Sequence, residues 1–156
     1  MQAGAAAGAD PPVALVATPA TTSAGARVAM RFAHTFHAHP RLVDGSGLSR
    51  PDRASPLSVV RLLEGMRERP DFAAFYDALP IAGHDGTLDT RMRSGPAHGR
   101  CHAKTGTLSG VSALSGYCTT RGGHTVVFSF LMNRVNVYGA RALQDRMAQA
   151  IAAWRG

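Results

Sequence analysis

Residues 101–133 read CHAKTGTLSGVSALSGYCTTRGGHTVVFSFLMN, and this stretch decides the fold. Its segments 101–108, 111–119 and 125–132 are rich in Val, Phe, Thr and Tyr, and Ser109-Gly110 and Arg121-Gly122-Gly123 separate them. The pattern predicts three antiparallel strands joined by tight hairpins. If Ser109-Gly110 is a two-residue turn, Leu108 pairs with Val111, and stepping outward along both strands brings Cys101 opposite Cys118. Opposed positions in an antiparallel pair lie about 4.5–5.5 Å apart at Cα, within reach of a disulfide, with non-hydrogen-bonded pairs favoured. The alternative is two buried thiols.

Working outward, the segment 139–154 predicts a last helix with Leu143, Met147, Ala150, Ile151 and Trp154 on one face and Arg141 and Asp145 four apart on another. Upstream, Ser55-Pro56 reads as an N-cap with proline in the first turn. Leu57, Val60, Leu63 and Met66 then form an apolar stripe that ends before Pro70. Asp71 is placed to cap a short helix over 72–78, stopped by Pro80. From 81 to 99 the glycines, prolines and Asp85-Gly86 spell loop and turn. A first helix is expected over 26–37, with Val28, Phe32 and Phe36 on one face. Residues 1–25 form a low-complexity Ala/Gly/Pro/Thr lead, expected to be disordered, and its start lacks the basic region of a secretory signal. No internal repeat is visible. Helices before and after a hairpin meander imply an α+β class, an antiparallel sheet flanked by helices.

With 156 residues, 45% of them apolar, the chain suffices for one domain or part of one. It has no apolar run near the roughly 20 residues of a transmembrane segment. Seventeen Lys+Arg against ten Asp+Glu give a net charge of +7. The cations are scattered singly, with no run of four or more, so a solvated basic surface is expected and no nucleic-acid partner. His34, His37 and His39 lie within six residues, but no neighbouring Cys or acid completes a ligand set. No metal site and no cofactor are expected.

Lys104 is the only lysine. Followed by Thr105, Gly106 and Thr107 on a strand, it makes a carboxylate receptor: the ammonium supplies charge, the hydroxyls donate, and glycine admits a close backbone. The plain alternative is a strand lysine reaching to solvent. Three further stretches accompany it: Asp44-Gly45-Ser46-Gly47-Leu48-Ser49-Arg50, Ile81-Ala82-Gly83-His84-Asp85-Gly86-Thr87-Leu88 and Gly110-Val111-Ser112-Ala113-Leu114-Ser115-Gly116-Tyr117. Asp44 is suited to fixing its glycine-rich turn through a side-chain bond to the backbone.

In that order, over about residues 41–154, the four stretches resemble the C-terminal part of the D-alanyl-D-alanine carboxypeptidases of peptidase family S13, the type-4 penicillin-binding proteins. The resemblance implies a partial penicilloyl-serine transferase fold, of the β-lactamase and transpeptidase kind, over residues 26–156. It also implies a serine-type hydrolase acting on peptidoglycan stem peptides that end in D-Ala-D-Ala. By the same resemblance Lys104, Thr105, Gly106 and Thr107 bind the substrate carboxylate. The Thr107 N–H serves as one oxyanion donor, and Ser49 relays a proton toward the leaving amine. The location implied is periplasmic or otherwise outside the cytoplasmic membrane, where a Cys101–Cys118 bridge persists.

Two positions depart from the pattern. No serine is followed three residues later by lysine, and Cys101 stands three before Lys104, so the Ser-x-x-Lys nucleophile is absent from the chain. Where the family carries an asparagine shortly after Ser49, this chain has Asp52, an acceptor that cannot donate an amide N–H to a substrate carbonyl. The expectation is therefore a carboxylate-binding half that is inactive by itself and takes β-lactams only together with a nucleophile half. The alternatives are a non-catalytic fragment or a peptidoglycan-binding module.

Overall fold

The structure, a computed structural model, describes residues 21–156, so the expected disordered lead lies outside the described residues as far as residue 20. Its three strands are β1 (Cys101–Leu108), β2 (Val111–Thr119) and β3 (Thr125–Asn133), in the spatial order β1-β2-β3 and antiparallel throughout. Leu108 pairs with Val111, and Gly110 takes φ +73°, a left-handed conformation that glycine adopts without strain. Cys101 consequently faces Cys118, their Cα atoms are 4.0 Å apart, and the two sulfurs are bonded.

Period-2 alternation divides the sheet into two faces. Cys101, Ala103, Leu114, Cys118 and Phe128 meet Ala148 and Ala152 of α4 (Val137–Ala153) in one core. On the other face Tyr117 packs with Leu63 and Leu79, flanked by Val59, Phe72 and Phe75. These come mainly from α2 (Pro56–Arg67) and α3 (Phe72–Asp77). Tyr117 is wholly buried, and its hydroxyl donates to the Leu63 carbonyl at 2.6 Å, tying β2 to α2. Burial pushes the Tyr117 phenol up to about 12. With helices on both faces of a small antiparallel sheet, the architecture is α+β.

Ser55 caps α2 by accepting from the Ser58 N–H, with Pro56 in the first turn. Other helix boundaries and faces differ from the sequence reading for local reasons. The first helix, α1 (Thr22–His34), starts four residues early because the Thr21 hydroxyl accepts from the Ala24 N–H. It buries Ala26 and Ala33 and leaves Val28 and Phe32 exposed. Asp71 makes no side-chain cap for α3, because its carboxylate is taken by Arg69 at 2.8 Å. Asn136, given no role in the sequence reading, caps α4, whose first residue Val137 lies two before the expected start, and accepts from the Gly139 N–H. That helix buries Ala140, Gln144, Ala148 and Ala152, whereas Leu143 and Trp154, expected on the buried face, are exposed. Small side chains let the helix approach the sheet closely, and the larger apolar residues flank that seam. Asp145 pairs with Arg91 at 2.6 Å and not with Arg141, its helical neighbour.

Candidate carboxylate-binding site

The site is the outer edge of β1. Along the first half of that edge, residues 80–82 add a short bridge: the Ala82 N–H donates to the Cys101 carbonyl and the Ala103 N–H to the Pro80 carbonyl, both at 2.9 Å. In an antiparallel strand the N–H and C=O of one residue point to the same side, and alternate residues repeat that direction. The backbone groups of Cys101 and Ala103 therefore face outward. So do those of Thr105 and Thr107, which lie past the bridge, where among the described residues no further strand pairs with the edge. The same alternation makes Cys101 and Cys118 a non-hydrogen-bonded pair.

Around this open edge lies a cleft of about 550 Å³ lined by residues 46–48, Thr87, Arg91, residues 104–108 and Arg141. Lys104 lies on the α2 side of the strand and curls over the edge, its Nζ donating to the Thr105 carbonyl at 2.8 Å. Thr105 and Thr107 lie on the α4 side. The Thr105 hydroxyl donates to the Thr87 hydroxyl at 2.9 Å, and the Thr107 hydroxyl accepts from an Arg141 guanidinium nitrogen at 3.1 Å. At Gly106 a Cβ would stand 3.3 Å from the Ala113 side chain, a tight contact that a small shift of that methyl would have to relieve.

Among the described residues, three cations and no acid line the cleft. Arg91 is compensated: its guanidinium bonds the Asp145 carboxylate, the Gln144 side chain and the Arg141 carbonyl. Buried Gln144 in turn exchanges hydrogen bonds with buried Ser112 of β2, so the start of α4 is anchored to the sheet behind β1. Lys104 and Arg141 extend to the open edge. This charge and these donors suit an anion, and the outward backbone groups of Thr105 and Thr107 are arranged to pair with an extended ligand as an added strand.

Ser49 and Asp52 are placed elsewhere. They line a neighbouring cleft of about 840 Å³ with the β1–β2 turn and the end of β3, and among the described residues only Gly47 and Leu108 border both clefts. The Ser49 hydroxyl donates to the Asp44 carboxylate, and Asp52 accepts from the Val43 N–H at 2.8 Å. Asp44 also accepts from the Ser46 N–H at 2.8 Å and the Ser46 hydroxyl at 2.6 Å, the turn-fixing bond that its position suggested. These bonds, from the Ser46 hydroxyl first and Ser49 next, lower the Asp44 carboxyl below its ordinary value. Asp52 is thus a staple across the 43–52 loop. Thr87, Arg91 and Arg141 enter the cleft unforeseen. Thr87 stood in a quoted stretch without an assigned role, and Arg141 had been read only as a helical neighbour of Asp145.

Comparison with known proteins identifies the family and the fold. The family model of the D-Ala-D-Ala carboxypeptidase 3 (S13) family matches residues 13–154. A D-alanyl-D-alanine carboxypeptidase of Actinomadura sp. is 41% identical over 120 residues, covering 74% of this chain and 22% of that protein. A D-alanyl-D-alanine carboxypeptidase of Haemophilus influenzae is 35% identical over 111 residues, covering 70% of this chain and 22% of its own length. The crystal structure of penicillin binding protein 4 from Haemophilus influenzae superposes with a TM-score of 0.62 at 30% identity, over 70% of this chain and 28% of that one. A predatory endopeptidase from Bdellovibrio bacteriovorus shares the fold, with a TM-score of 0.61 at 22% identity over 81% of this chain and 36% of that one. The sheet and its helices are those of the penicillin-recognising fold. The chain spans about a quarter or less of the length of the curated relatives it matches.

Proposed function

The chain belongs to the S13 family of D-Ala-D-Ala carboxypeptidases, and from that premise we propose that it supplies the carboxylate-binding side of a serine-type carboxypeptidase acting on peptidoglycan stem peptides that end in D-Ala-D-Ala. The observation that carries this reading is the open edge of β1 beside Lys104. A terminal carboxylate set against the Lys104 ammonium and the hydroxyls leaves the preceding amide alongside the outward N–H of Thr107. That N–H then serves as one donor to the oxyanion that develops when the amide is attacked.

Acyl transfer needs an activated hydroxyl, and Lys104, the sole lysine, is engaged at the carboxylate edge. The nucleophile is therefore supplied from outside these residues, and β-lactam acylation requires it. Taken alone, the chain is a peptide-binding module without hydrolytic turnover. Ser49 is assigned to shaping the loop together with Asp44, because its hydroxyl proton is already committed there. A setting outside the cytoplasmic membrane suits the Cys101–Cys118 bond, which reducing compartments do not favour. Among the described residues no helix is long and apolar enough to cross a membrane.

The test is an NMR titration of the isotope-labelled chain with N-acetyl-D-Ala-D-Ala. The expected result is saturable shifts of the Thr105 and Thr107 amides, with an affinity about tenfold lower for the C-terminal amide of the same peptide, and about tenfold lower for the acid in Lys104→Ala, through the lost charge. Equal shifts by acid and amide, or shifts confined to the Ser49 cleft, would refute it.

A further inference from the structure

Arg141 reaches the β1 edge from α4, on the side opposite Lys104. Its guanidinium donates to the Thr107 hydroxyl at 3.1 Å, and among the described residues none that lines the cleft is acidic. Asp145, the carboxylate one helical turn on, is held by Arg91 at 2.6 Å. Arg91 also donates to the backbone carbonyl of Arg141, and through Gln144 it is tied to Ser112 in the sheet. The result is a braced helical turn from which one cation projects, donating to the neutral Thr107 oxygen and keeping most of its five N–H donors available.

Hydroxyl chemistry gives this contact a direction. A guanidinium only donates, so the Thr107 oxygen accepts from Arg141 and its own proton is left to point into the cleft. Thr87 is in the same position, since it accepts from Thr105 and keeps its proton for a ligand. Two cations thus flank one strand edge, with two hydroxyl protons and the outward N–H groups between them. A planar carboxylate is the anion that this fork fits, because guanidinium N–H pairs match its two oxygens.

We propose that Arg141 is a substrate-binding residue that receives the C-terminal carboxylate of the peptide together with Lys104 and the Thr107 hydroxyl. This assignment rests on the carboxylate-binding reading of the β1 edge given above. Lys104 supplies a point charge, and Arg141 supplies orientation, turning the carboxylate so that the preceding amide carbonyl lies toward the Thr107 N–H.

The experiment compares the 156-residue chain with Arg141→Ala, Arg141→Lys and Lys104→Ala, each titrated with N-acetyl-D-Ala-D-Ala and with its C-terminal amide. Arg141→Ala is expected to weaken the acid by about tenfold while leaving the amide unchanged, and Arg141→Lys to recover part of the loss. A merely structural role would weaken acid and amide alike, and that result overturns the proposal. If Arg141→Ala keeps the full preference for the acid while Lys104→Ala loses it, Arg141 is excluded and the function proposed above stands. If the wild-type chain shows no preference for the acid, the functional reading fails and this one with it. Should Arg141→Ala lose its amide dispersion, Arg141→Lys decides: an acid affinity equal to wild type with its bidentate geometry removed refutes orientation by the guanidinium, and a selective loss supports it.

Discussion

Reduction of the Cys101–Cys118 bond perturbs the strand that carries the site without changing a single residue. The two cysteines are 17 apart in sequence, and the bond closes the β1–β2 hairpin at the end opposite its turn. Closing a loop of that length removes chain entropy from the unfolded state equivalent to about 3 kcal/mol. Both positions are buried in the core shared with Ala103, Leu114 and Ala148, so reduction keeps their packing volume and isolates the cross-link itself. For a small domain, with roughly 1–3 kcal/mol lost per molar urea, the unfolding midpoint should fall by about 1–3 M on reduction. The assay is urea unfolding followed by circular dichroism, with and without reductant. Cys101→Ser combined with Cys118→Ser serves as a control that reductant leaves unaffected. Coincident midpoints for the oxidised and reduced chains would refute the argument, as would two thiols titrating with Ellman's reagent in protein purified without reductant.

The Asp44 turn gives a pH prediction. A carboxyl lowered by hydrogen bonds contributes stability above its unfolded value, here the ordinary 3.8, and loses it as pH falls through the lowered folded value. Ser49→Ala should therefore move the Asp44 carboxyl midpoint upward in a carbon-detected titration, and an unmoved midpoint would show that the serine does not hold it. Gly116→Ala should destabilise the fold by about 1–3 kcal/mol in thermal or urea unfolding, because the new Cβ would press on the His102 carbonyl and lie 2.6 Å from the Ala103 Cα. A wild-type midpoint would mean that the strands are not this close. Incubated with benzylpenicillin, the 156-residue chain should keep its intact mass, since its one lysine bonds the Thr105 carbonyl and no serine stands three residues before a lysine. An adduct mapped to any serine would overturn the division of labour proposed above.

The hairpin was legible in the letters because its determinants are local. A turn of two residues fixes which positions oppose each other, and a side-chain period of two then carries that register unchanged to Cys101 and Cys118. The Ser55-Pro56 helix start was legible for the same reason, and so was the order Lys104-Thr105-Gly106-Thr107 on one strand. Which face of α4 is buried was not, because close packing on the sheet selected Ala140, Ala148 and Ala152 over the larger Leu143 and Trp154. Hydrophobicity ranks those residues the other way. Only the tertiary structure decided that Asp145 serves Arg91, 54 residues away, leaving Arg141 to meet Thr107, 34 residues away, and that Ser49 closes on Asp44 beside a different cleft. Contacts between side chains so far apart in the chain depend on how α4 and the loops dock on the sheet, and no periodicity in the sequence encodes that docking.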